Sequence, residues 1–412
     1  MDERIVITGM GAVSPLGLSV EETWRNALGG KSGVGPITLF DASELNVRIG
    51  CEIKNFNPED YLSYREARRR DRVQQIAAAA AKEALDQAAI DKNQINPERV
   101  GVIVGSSIGG LISLQDNIFK LLQEGTRKVS PFAITTFMVN GPAAYIAIDH
   151  GFKGPSFSVA SACSTGADNI GTAWTLLRSG VIDAAVTGSA DAPILKIAII
   201  SFDLLRALSR DNDDFSMTPQ PFDKNRNGLV FGEAGAILVL EREGHAKARG
   251  AEILAEVAGY ASTADSFHIT APSEDGWGGA RAIRNALESA RIDKSEINYI
   301  NAHGTATVLN DRSETRAIKT AFGDRAYDIP VSSTKSMTGH TMGAAGSLEA
   351  IFCVKSIMEN AIPPTINYQT PDPECDLDVV PNHAREIPVH IAISNSFGFG
   401  GHNAVLVLKE YK

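Results

Sequence analysis

The sequence predicts an α/β protein, because short β-branched segments alternate with longer segments of helical length along the chain. The apolar segments at residues 4–9 and 100–105 have the length and composition of strands. The segment at residues 73–89 holds a run of alanines and has the length of a helix. Neither an all-β nor an all-α protein shows this alternation.

The remaining elements continue the alternation toward the C-terminus. Further strands are predicted at residues 156–160, 184–188, 236–241, 253–258, 297–301, 329–333, 392–395 and 404–408. Apolar residues at helical spacing predict helices at residues 164–179, 278–291, 312–322 and 341–359. A polar, glycine-containing segment at residues 242–251 suits a surface connection.

A short internal repeat raises the question of duplication. Residues 163–167 (CSTGA) and 340–344 (HTMGA) share the same pattern: a hydroxyl residue at the second position and Gly-Ala at the fourth and fifth. Over five positions, chance explains the match as readily as duplication does. A duplicated chain would divide into residues 1–250, which hold Cys163, and residues 251–412, which hold His303 and His340.

Composition and charge exclude several functional classes. Hydrophobic residues make up 43% of the chain and charged residues 21%, as in globular proteins, so wholesale disorder is excluded. Without a long apolar run or a signal-peptide pattern at residues 1–7, we expect a cytoplasmic protein with no membrane span. Four cysteines without a CxxC pair argue against a zinc site or a disulfide framework. The net charge of -10 argues against nucleic-acid binding, although residues 65–72 are strongly basic.

Cys163 is the first candidate for chemistry. It lies where the predicted strand at 156–160 gives way to serine, threonine and glycine at a helix start. A cysteine at a helix N-terminus faces unpaired N–H groups and the positive end of the helix dipole, which favours thiolate over thiol. The alternative is a small buried hydrophobic residue, the usual role of a free cysteine. Cys353, in an apolar helical segment, has the pattern of core packing.

Two histidines lie in loops flanked by small residues. His303 follows the predicted strand at 297–301, and His340 ends the segment 335–340 (KSMTGH). Glycine beside histidine lets backbone and substrate approach closely, as a catalytic loop requires. Taken singly, each histidine is more readily explained as a hydrogen-bonded structural residue. Together with Cys163 they favour a Cys-His-His site, which only the fold can assemble.

Charged and glycine-rich neighbours add to this site. Lys335, Asp311 and Glu349 are either surface charges or a buried ionic group that sets the protonation of the histidines. The segment 395–403 (NSFGFGGHN) matches neither a P-loop nor a dinucleotide fingerprint, so no cofactor is expected. Its glycine-flanked Phe399 suggests a movable plug over a pocket, with a backbone N–H free to serve an oxyanion.

The chain resembles the β-ketoacyl-[acyl-carrier-protein] synthases, the elongating condensing enzymes of the thiolase superfamily. The resemblance runs nearly end to end and rests on four motifs in order: residues 161–163 (SAC), 301–305 (NAHGT), 335–340 and 395–403. It implies a thiolase-like duplicated α/β fold, a five-layered αβαβα sandwich, and usually a homodimer. It implies no cofactor and no metal in the reaction.

By this resemblance the chain is an acyltransferase of type II fatty acid elongation. The Cys163 thiolate would take an acyl group from acyl carrier protein. Malonyl-acyl carrier protein would then lose carbon dioxide or bicarbonate, and its enolate would attack the acyl group to give a 3-oxoacyl chain two carbons longer. His303 and His340 would stabilise charge on the thioester oxygen, and the backbone N–H groups of Cys163 and Phe399 would form the oxyanion hole.

The resemblance also assigns supporting roles. Lys335, Asp311 and Glu349 match the family's ionic network, and Phe399 matches the gate between the two half-reactions. The positions matched to the pantetheine arm and the acyl pocket are Thr270, Thr305, Thr307, Ile108 and Phe202. The positions matched to carrier-protein docking are Arg65, Arg68 and Arg69, with Arg127, Lys128 and Arg206 as further candidates. Such a patch would offset the repulsion between this acidic chain and an acidic carrier protein, whereas a solvated helix face is the alternative.

Other readings remain open. Ala306 and Val308 replace the Ser and Pro that the family often has in the loop after His303, so the preferred acyl chain length and the pathway stay undecided. The alternative pathway is that of a ketosynthase in polyketide or polyene synthesis. A degradative thiolase would need a second cysteine near the C-terminus, and a non-catalytic chain-length-factor-like subunit would lack Cys163. A cysteine hydrolase would leave the Lys335 motif unexplained. The resemblance also leaves open a monovalent cation near Asn301, Glu349, Ser394 and Asn395.

Overall fold

The computed structural model describes residues 3–90 and 95–412, so Met1 and Asp2 of the segment examined for a signal peptide lie outside the described residues. The strands are β1 (Ile5–Val13), β2 (Gly35–Pro36), β3 (Ile49–Gly50), β4 (Val100–Gly105), β5 (Ser156–Phe157), β6 (Ala184–Asp191), β7 (Ala234–Arg242), β8 (Ala255–Ala264), β9 (Tyr299–Asn301), β10 (Val331–Ser332), β11 (Ala361–Ile362), β12 (Arg385–Glu386), β13 (Ile391–Gly398) and β14 (His402–Lys409). The α-helices are α1 (Val20–Leu28), α2 (Tyr64–Ala67), α3 (Arg72–Gln87), α4 (Leu111–Glu124), α5 (Ala133–Phe137), α6 (Gly141–His150), α7 (Thr165–Arg178), α8 (Lys196–Leu204), α9 (Glu243–Ala248), α10 (Trp277–Ala290), α11 (Val308–Phe322), α12 (Lys335–Thr338) and α13 (Ala345–Glu359).

All the strands predicted from the sequence are present, and together they form one 10-stranded sheet. The five predicted helices are also present, as α3, α7, α10, α11 and α13. Four helices of nine residues or more, α1, α4, α6 and α8, are not predicted from the sequence pattern. α6 and α8 are nearly uniformly apolar and lack the polar–apolar contrast that reveals a helix. None of the described helices combines the length and the apolarity that a membrane crossing requires.

The sheet consists of the same strand arrangement twice. Its order is β10-β9-β13-β14-β8 followed by β1-β7-β6-β4-β5. β4 pairs in parallel with β5 and β6, just as β9 pairs in parallel with β10 and β13. The other neighbours within each set are antiparallel. The two sets meet only where β1 pairs with β8, at Val6–Glu256 and Ile7–Ala255.

Helices cover both faces of each strand set. α7 and α13 lie between the two sets, since each packs against strands of both. α3 and α6 cover the outer face of the first set, and α10 covers the outer face of the second with α11 packed beside it. The architecture is therefore the predicted thiolase-like αβαβα sandwich. The N-termini of α7 and α13 meet at its centre.

Glycines let α7 and α13 approach closely, and this close packing explains why both segments of the internal repeat contain glycine. A Cβ atom at Gly166 would lie 2.6 Å from the backbone nitrogen of Ser347 and 2.8 Å from the carbonyl oxygen of Gly343. A Cβ atom at Gly346 would lie 2.8 Å from the backbone nitrogen of Ala167. Because these neighbours are backbone atoms within buried helices, they cannot move aside cheaply.

We expect Gly166→Ala to lower the free energy of unfolding by about 1–3 kcal/mol, because the added methyl group must push the two helices apart. The midpoint of urea unfolding measures this effect. Gly35→Ala is the matched control, since nothing lies within 4 Å of a Cβ atom there. An equal midpoint for both variants would contradict the close crossing.

Candidate active site

A cavity of about 310 Å³ is lined by Cys163, His303, His340 and Phe399. Cys163 lies between β5 and α7, and His340 lies between β10 and α13, at the equivalent place in the second strand set. His303 follows β9, and Phe399 lies in the turn between β13 and β14. The fold therefore brings together four residues that are distant in sequence.

Cys163 lies in a strained turn at the start of α7. The preceding Ala162 has φ 51°, in the left-handed region that residues other than glycine seldom adopt. The Thr165 hydroxyl donates to the Ala162 carbonyl at 2.7 Å and accepts from the Ser161 backbone N–H at 3.0 Å. These bonds fix the turn and direct the Cys163 sulfur into the cavity, where His340 Nε2 lies 3.1 Å away.

The sulfur is surrounded by hydrogen-bond donors, yet burial dominates its protonation. Burial raises the pKa of the Cys163 thiol to about 11, while the Lys335 ammonium and the backbone N–H groups of Phe399 and Cys163 lower it only in part. The backbone N–H groups act in the expected direction, toward the thiolate, but burial has the larger effect and raises the thiol pKa overall. Burial removes most of the hydration that would stabilise a charged sulfur, and the nearby donors replace that stabilisation only in part.

Both histidines are neutral. Burial lowers the pKa of His303 and of His340 well below the usual value, and the Lys335 ammonium lowers both further. Their rings lie 5.4 Å apart, nearly perpendicular. His340 Nδ1 accepts from the backbone N–H of Met342 at 3.1 Å, so in the neutral ring Nε2 carries the proton that faces the sulfur.

A buried carboxyl group that the sequence did not reveal holds the His303 loop. Glu314, on α11, accepts from the backbone N–H groups of His303 at 2.8 Å and Gly304 at 2.7 Å, and from Asn395 Nδ2 at 3.1 Å. Burial raises the pKa of Glu314 to about 7. The sequence did hold one sign that Glu314 is buried. It lies three residues before Ala317 and four before Ile318, which places it on the apolar face of the helix.

The three predicted network residues fall into two separate ion pairs. Lys335 and Glu349 form a buried pair next to the histidines. Asp311 is buried elsewhere, accepts from the Phe222 backbone N–H at 2.8 Å, and lies 3.7 Å from Arg226 Nε. The Arg226 guanidinium donates to the carbonyls of residues 307 and 308, both at 3.3 Å, so this second pair supports the loop after His303.

Most of the predicted substrate positions line the same cavity. Thr270, Thr305, Thr307 and Phe202 all do so, and the hydroxyls of Thr305 and Thr307 lie 3.0 Å apart. The Phe202 ring stacks on Phe399 with centroids 5.4 Å apart, which places an aromatic pair in the cavity wall. Ile108, in the loop after β4, does not line this cavity.

Two clusters of side chains have atoms of the kind that bind metal ions. Ligand atoms of Cys163, His303 and His340 lie within 4.8 Å of one another, but the proton on His340 Nε2 leaves no lone pair for a metal, so a metal does not fit. Near the Lys335–Glu349 pair, oxygen atoms are buried without a hydrogen-bond partner among the described residues; they belong to Asn301, Glu349, Ser394 and Asn395. Amide, hydroxyl and carboxylate oxygens suit a hard cation, so this second set fits the monovalent cation.

The basic run at residues 65–72 divides between solvent and interior. Arg65 and Arg68 are exposed, Arg69 is half-buried over the ring of Phe132, and Arg70 forms a bidentate pair with Asp149. Of the other predicted docking residues, Arg127 and Lys128 are exposed, and Arg206 is exposed and lines the cavity. Within the described ranges, Arg65, Arg68 and Arg69 form no ion pair with a carboxylate.

Comparisons with known proteins place this geometry in context. The family models "Beta-ketoacyl synthase, N-terminal domain" and "Beta-ketoacyl synthase, C-terminal domain" match residues 2–246 and 254–369. The chain is 47% identical over 411 residues to 3-oxoacyl-[acyl-carrier-protein] synthase 2 of Staphylococcus aureus (strain COL), which covers 100% of this chain and 99% of that relative. A protein of the same name from Synechocystis sp. is 45% identical over 410 residues, with 100% and 99% covered.

Solved structures are similar over their whole length. The ishigamide ketosynthase/chain length factor matches with a TM-score of 0.93 and 38% identity, covering 100% of both chains. A type II polyketide synthase acyl-carrier protein in complex with its ketosynthase matches with a TM-score of 0.92 and 33% identity, also covering 100% of both chains.

The raised thiol pKa predicts how the reactivity of Cys163 depends on pH. We expect the rate of its alkylation by iodoacetamide to rise about tenfold for each pH unit between pH 7 and pH 9, because only the thiolate reacts and its fraction grows in that proportion. Lys335→Met should lower the rate throughout this range, since the ammonium lowers the thiol pKa.

The matched control is Lys355→Met, which removes another buried, ion-paired lysine. Labelling is followed by mass spectrometry of the Cys163 peptide. A rate that does not change between pH 7 and pH 9 would show that the thiolate is already formed at neutral pH.

Proposed function

Because this chain belongs to the β-ketoacyl synthase family, we propose that Cys163, His303 and His340 perform its condensation reaction in the cavity that they line. The chain is an acyl-transferring enzyme that forms carbon–carbon bonds in type II fatty acid elongation, with acyl carrier protein as its partner. One observation carries the residue assignment: the Cys163 sulfur lies 3.1 Å from His340 Nε2 and faces two backbone N–H donors in the same cavity.

The first half-reaction transfers the acyl group to the enzyme. The Cys163 sulfur attacks the thioester carbon of the acyl carrier protein's pantetheine arm, so a new sulfur–carbon bond forms and the old one breaks. The Cys163 proton ends on the released pantetheine thiol. The backbone N–H groups of Cys163 and Phe399 donate to the oxyanion that develops on the carbonyl, which requires no rearrangement because both already point into the site.

The second half-reaction uses the two neutral histidines as donors. Malonyl-acyl carrier protein binds with its thioester oxygen between His303 and His340. The bond to its carboxylate carbon breaks, carbon dioxide leaves, and the electrons of that bond form the enolate, which the N–H groups of the two histidines stabilise. The enolate carbon attacks the acyl group on Cys163, and the sulfur leaves as a thiolate facing the same N–H groups. The Lys335 ammonium, which lowers the pKa of both histidines, keeps them neutral and therefore unable to protonate the enolate fully.

The surrounding residues hold the substrate. Thr270, Thr305 and Thr307 hold the pantetheine arm, and the stacked pair Phe202–Phe399 opens to admit the acyl chain toward Ile108. If the monovalent cation is bound, the oxygens of Asn301, Glu349, Ser394 and Asn395 hold it, and it supplies positive charge beside Glu349. The halves 1–250 and 251–412 are the two duplicated units, in keeping with the family models that end at 246 and begin at 254.

The chain forms a homodimer through the edge of its sheet. β5 is the last strand of the sheet, and both of its residues are exposed. Exposed apolar side chains lie on the neighbouring elements; they are Ile118, Phe119 and Leu122 of α4, Ile134 of α5 and Ile148 of α6. An open edge beside apolar side chains favours pairing with a second copy. A cytoplasmic location accords with an active cysteine that must stay reduced.

A second candidate function is that of a ketosynthase in a type II polyketide or polyene pathway. The observation that favours it is the full-length similarity to a ketosynthase/chain length factor and to a polyketide ketosynthase. In that case the exposed β5 edge would pair with a different subunit instead of a second copy.

We expect the chain to gain one acyl group when it is mixed with acyl-acyl carrier proteins of several lengths, as measured by intact-protein mass spectrometry. Malonyl-acyl carrier protein should then discharge it as a 3-oxoacyl product two carbons longer. Cys163→Ala should abolish the mass gain, while Cys353→Ala, at another buried cysteine, should retain it.

Failure of every acyl carrier protein to label the chain would overturn the proposed function. Labelling that requires an added second subunit, with a monomeric mass for the chain alone in sedimentation, would support the polyketide candidate instead.

Arg68, which is exposed, and Arg69, which is half-buried, predict an effect on carrier-protein binding. We expect Arg68→Glu combined with Arg69→Glu to raise the KM for acyl-acyl carrier protein about tenfold at low salt, with kcat unchanged, because the variant repels an acidic partner. Arg25→Glu combined with Lys31→Glu is the matched control, since both residues are exposed and the change in net charge is the same. An unchanged KM at low salt would exclude docking at Arg68 and Arg69.

A further inference from the structure

A buried carboxylate near the candidate nucleophile has no role in the steps above. Asp168 lies in the first turn of α7 and is 5% exposed. One of its oxygens accepts from the Ser161 hydroxyl, and the other accepts from the Tyr260 hydroxyl at 2.6 Å. In the described part of the chain, no cationic side chain pairs with it. A buried carboxylate held only by neutral hydroxyls is costly, so its presence calls for a reason.

The Tyr260 ring fits against α7 because a glycine makes room for it. Tyr260 lies on β8, in the second strand set, and its ring lies over Gly171, one turn after Asp168. A Cβ atom at Gly171 would lie 2.3 Å from the ring. The Ser289 hydroxyl ties the backbone of Tyr260 on the other side, accepting from its N–H at 3.0 Å and donating to its carbonyl at 3.1 Å. The hydroxyl of Tyr260 is therefore held in place by rigid elements.

Ser161 connects this carboxylate to the strained turn. It directly precedes Ala162, the residue with φ 51°, and Cys163. On the opposite side, a Cβ atom at Gly398 would lie 3.0 Å from the Ser161 carbonyl oxygen and 3.1 Å from the Cys163 backbone nitrogen. The turn is thus confined between Asp168 and the backbone of β13. A left-handed alanine is retained only where its surroundings fix it.

We propose that Asp168, with Ser161 and Tyr260, is a positioning network that directs the backbone N–H of Cys163 at the carbonyl oxygen of the bound thioester. This inference rests on the proposed function. None of the three side chains lines the cavity, so they act through the turn and do not touch the substrate. The network joins the two halves, because Tyr260 belongs to the second and the nucleophile to the first.

Comparing the rates of acyl transfer and of alkylation at Cys163 distinguishes a positioning role from a general structural role. Acyl transfer places negative charge on a carbonyl oxygen, which needs the backbone N–H of Cys163. Alkylation by iodoacetamide places negative charge on the leaving iodide instead, so it needs only an accessible sulfur. Loss of the network should therefore slow the first reaction and leave the second unchanged.

The test uses Tyr260→Phe, Ser161→Ala and the double variant. We expect each to lower kcat for acyl-enzyme formation about tenfold with KM unchanged, because a misdirected donor loses much of its effect. Alkylation of Cys163 at pH 8 should stay within about twofold of the unsubstituted chain. The double variant should be no slower than Ser161→Ala alone, because Tyr260 acts through Ser161.

The matched control is Tyr411→Phe, which removes another 2.6 Å hydrogen bond from a tyrosine to a carboxylate, that of Glu243. It should leave both reactions unchanged. A further variant, Gly171→Ala, displaces the Tyr260 ring without removing a polar group, and it should slow acyl transfer alone.

Equal loss of acyl transfer and alkylation in the variants would overturn the inference, since it would mean that the network only stabilises the fold. Unchanged acyl transfer in Tyr260→Phe and Ser161→Ala would also overturn it while leaving the proposed function intact. An unsubstituted chain that is alkylated but never acylated would overturn the proposed function and this inference together.

Discussion

The close crossing of α7 and α13 is the constraint on which the rest of the structure depends. At Gly166 and Gly346 the two helices meet with no room for a side chain, so their N-termini converge on one point. Cys163 and His340 lie just before those N-termini, and their side chains meet at 3.1 Å without any loop having to reach across the molecule. The geometry of the site is therefore a product of helix packing in the core, where positions are held most firmly.

Burial gives the site its electrostatic character. The same burial that raises the pKa of the Cys163 thiol lowers the pKa of both histidines, so all three groups are uncharged in the free site. The positive charge nearby is that of Lys335, paired with Glu349. Such a site stabilises negative charge that appears during a reaction, and its neutral histidines do not quench that charge by giving up a proton.

The sequence predicted the layered fold because short apolar segments of strand length alternate with longer segments of helical spacing. It predicted Cys163, His303 and His340 from small-residue loops after strands, and the comparisons confirm the family resemblance. Glu314 and Asp168 were missed because each sits in an ordinary helical pattern and becomes notable only once packing buries it. The separation of Asp311 from the Lys335–Glu349 pair likewise depends on tertiary contacts that sequence distance does not encode.

The equivalence of the two strand sets has a consequence for the chemistry of the site. Cys163 and His340 occupy equivalent places in the two sets, yet the residues at those places differ. Two identical residues there could not act as a nucleophile and as its hydrogen-bond donor. Because both places lie on one chain, each can hold a different residue, and the helix crossing between the two sets stays the same.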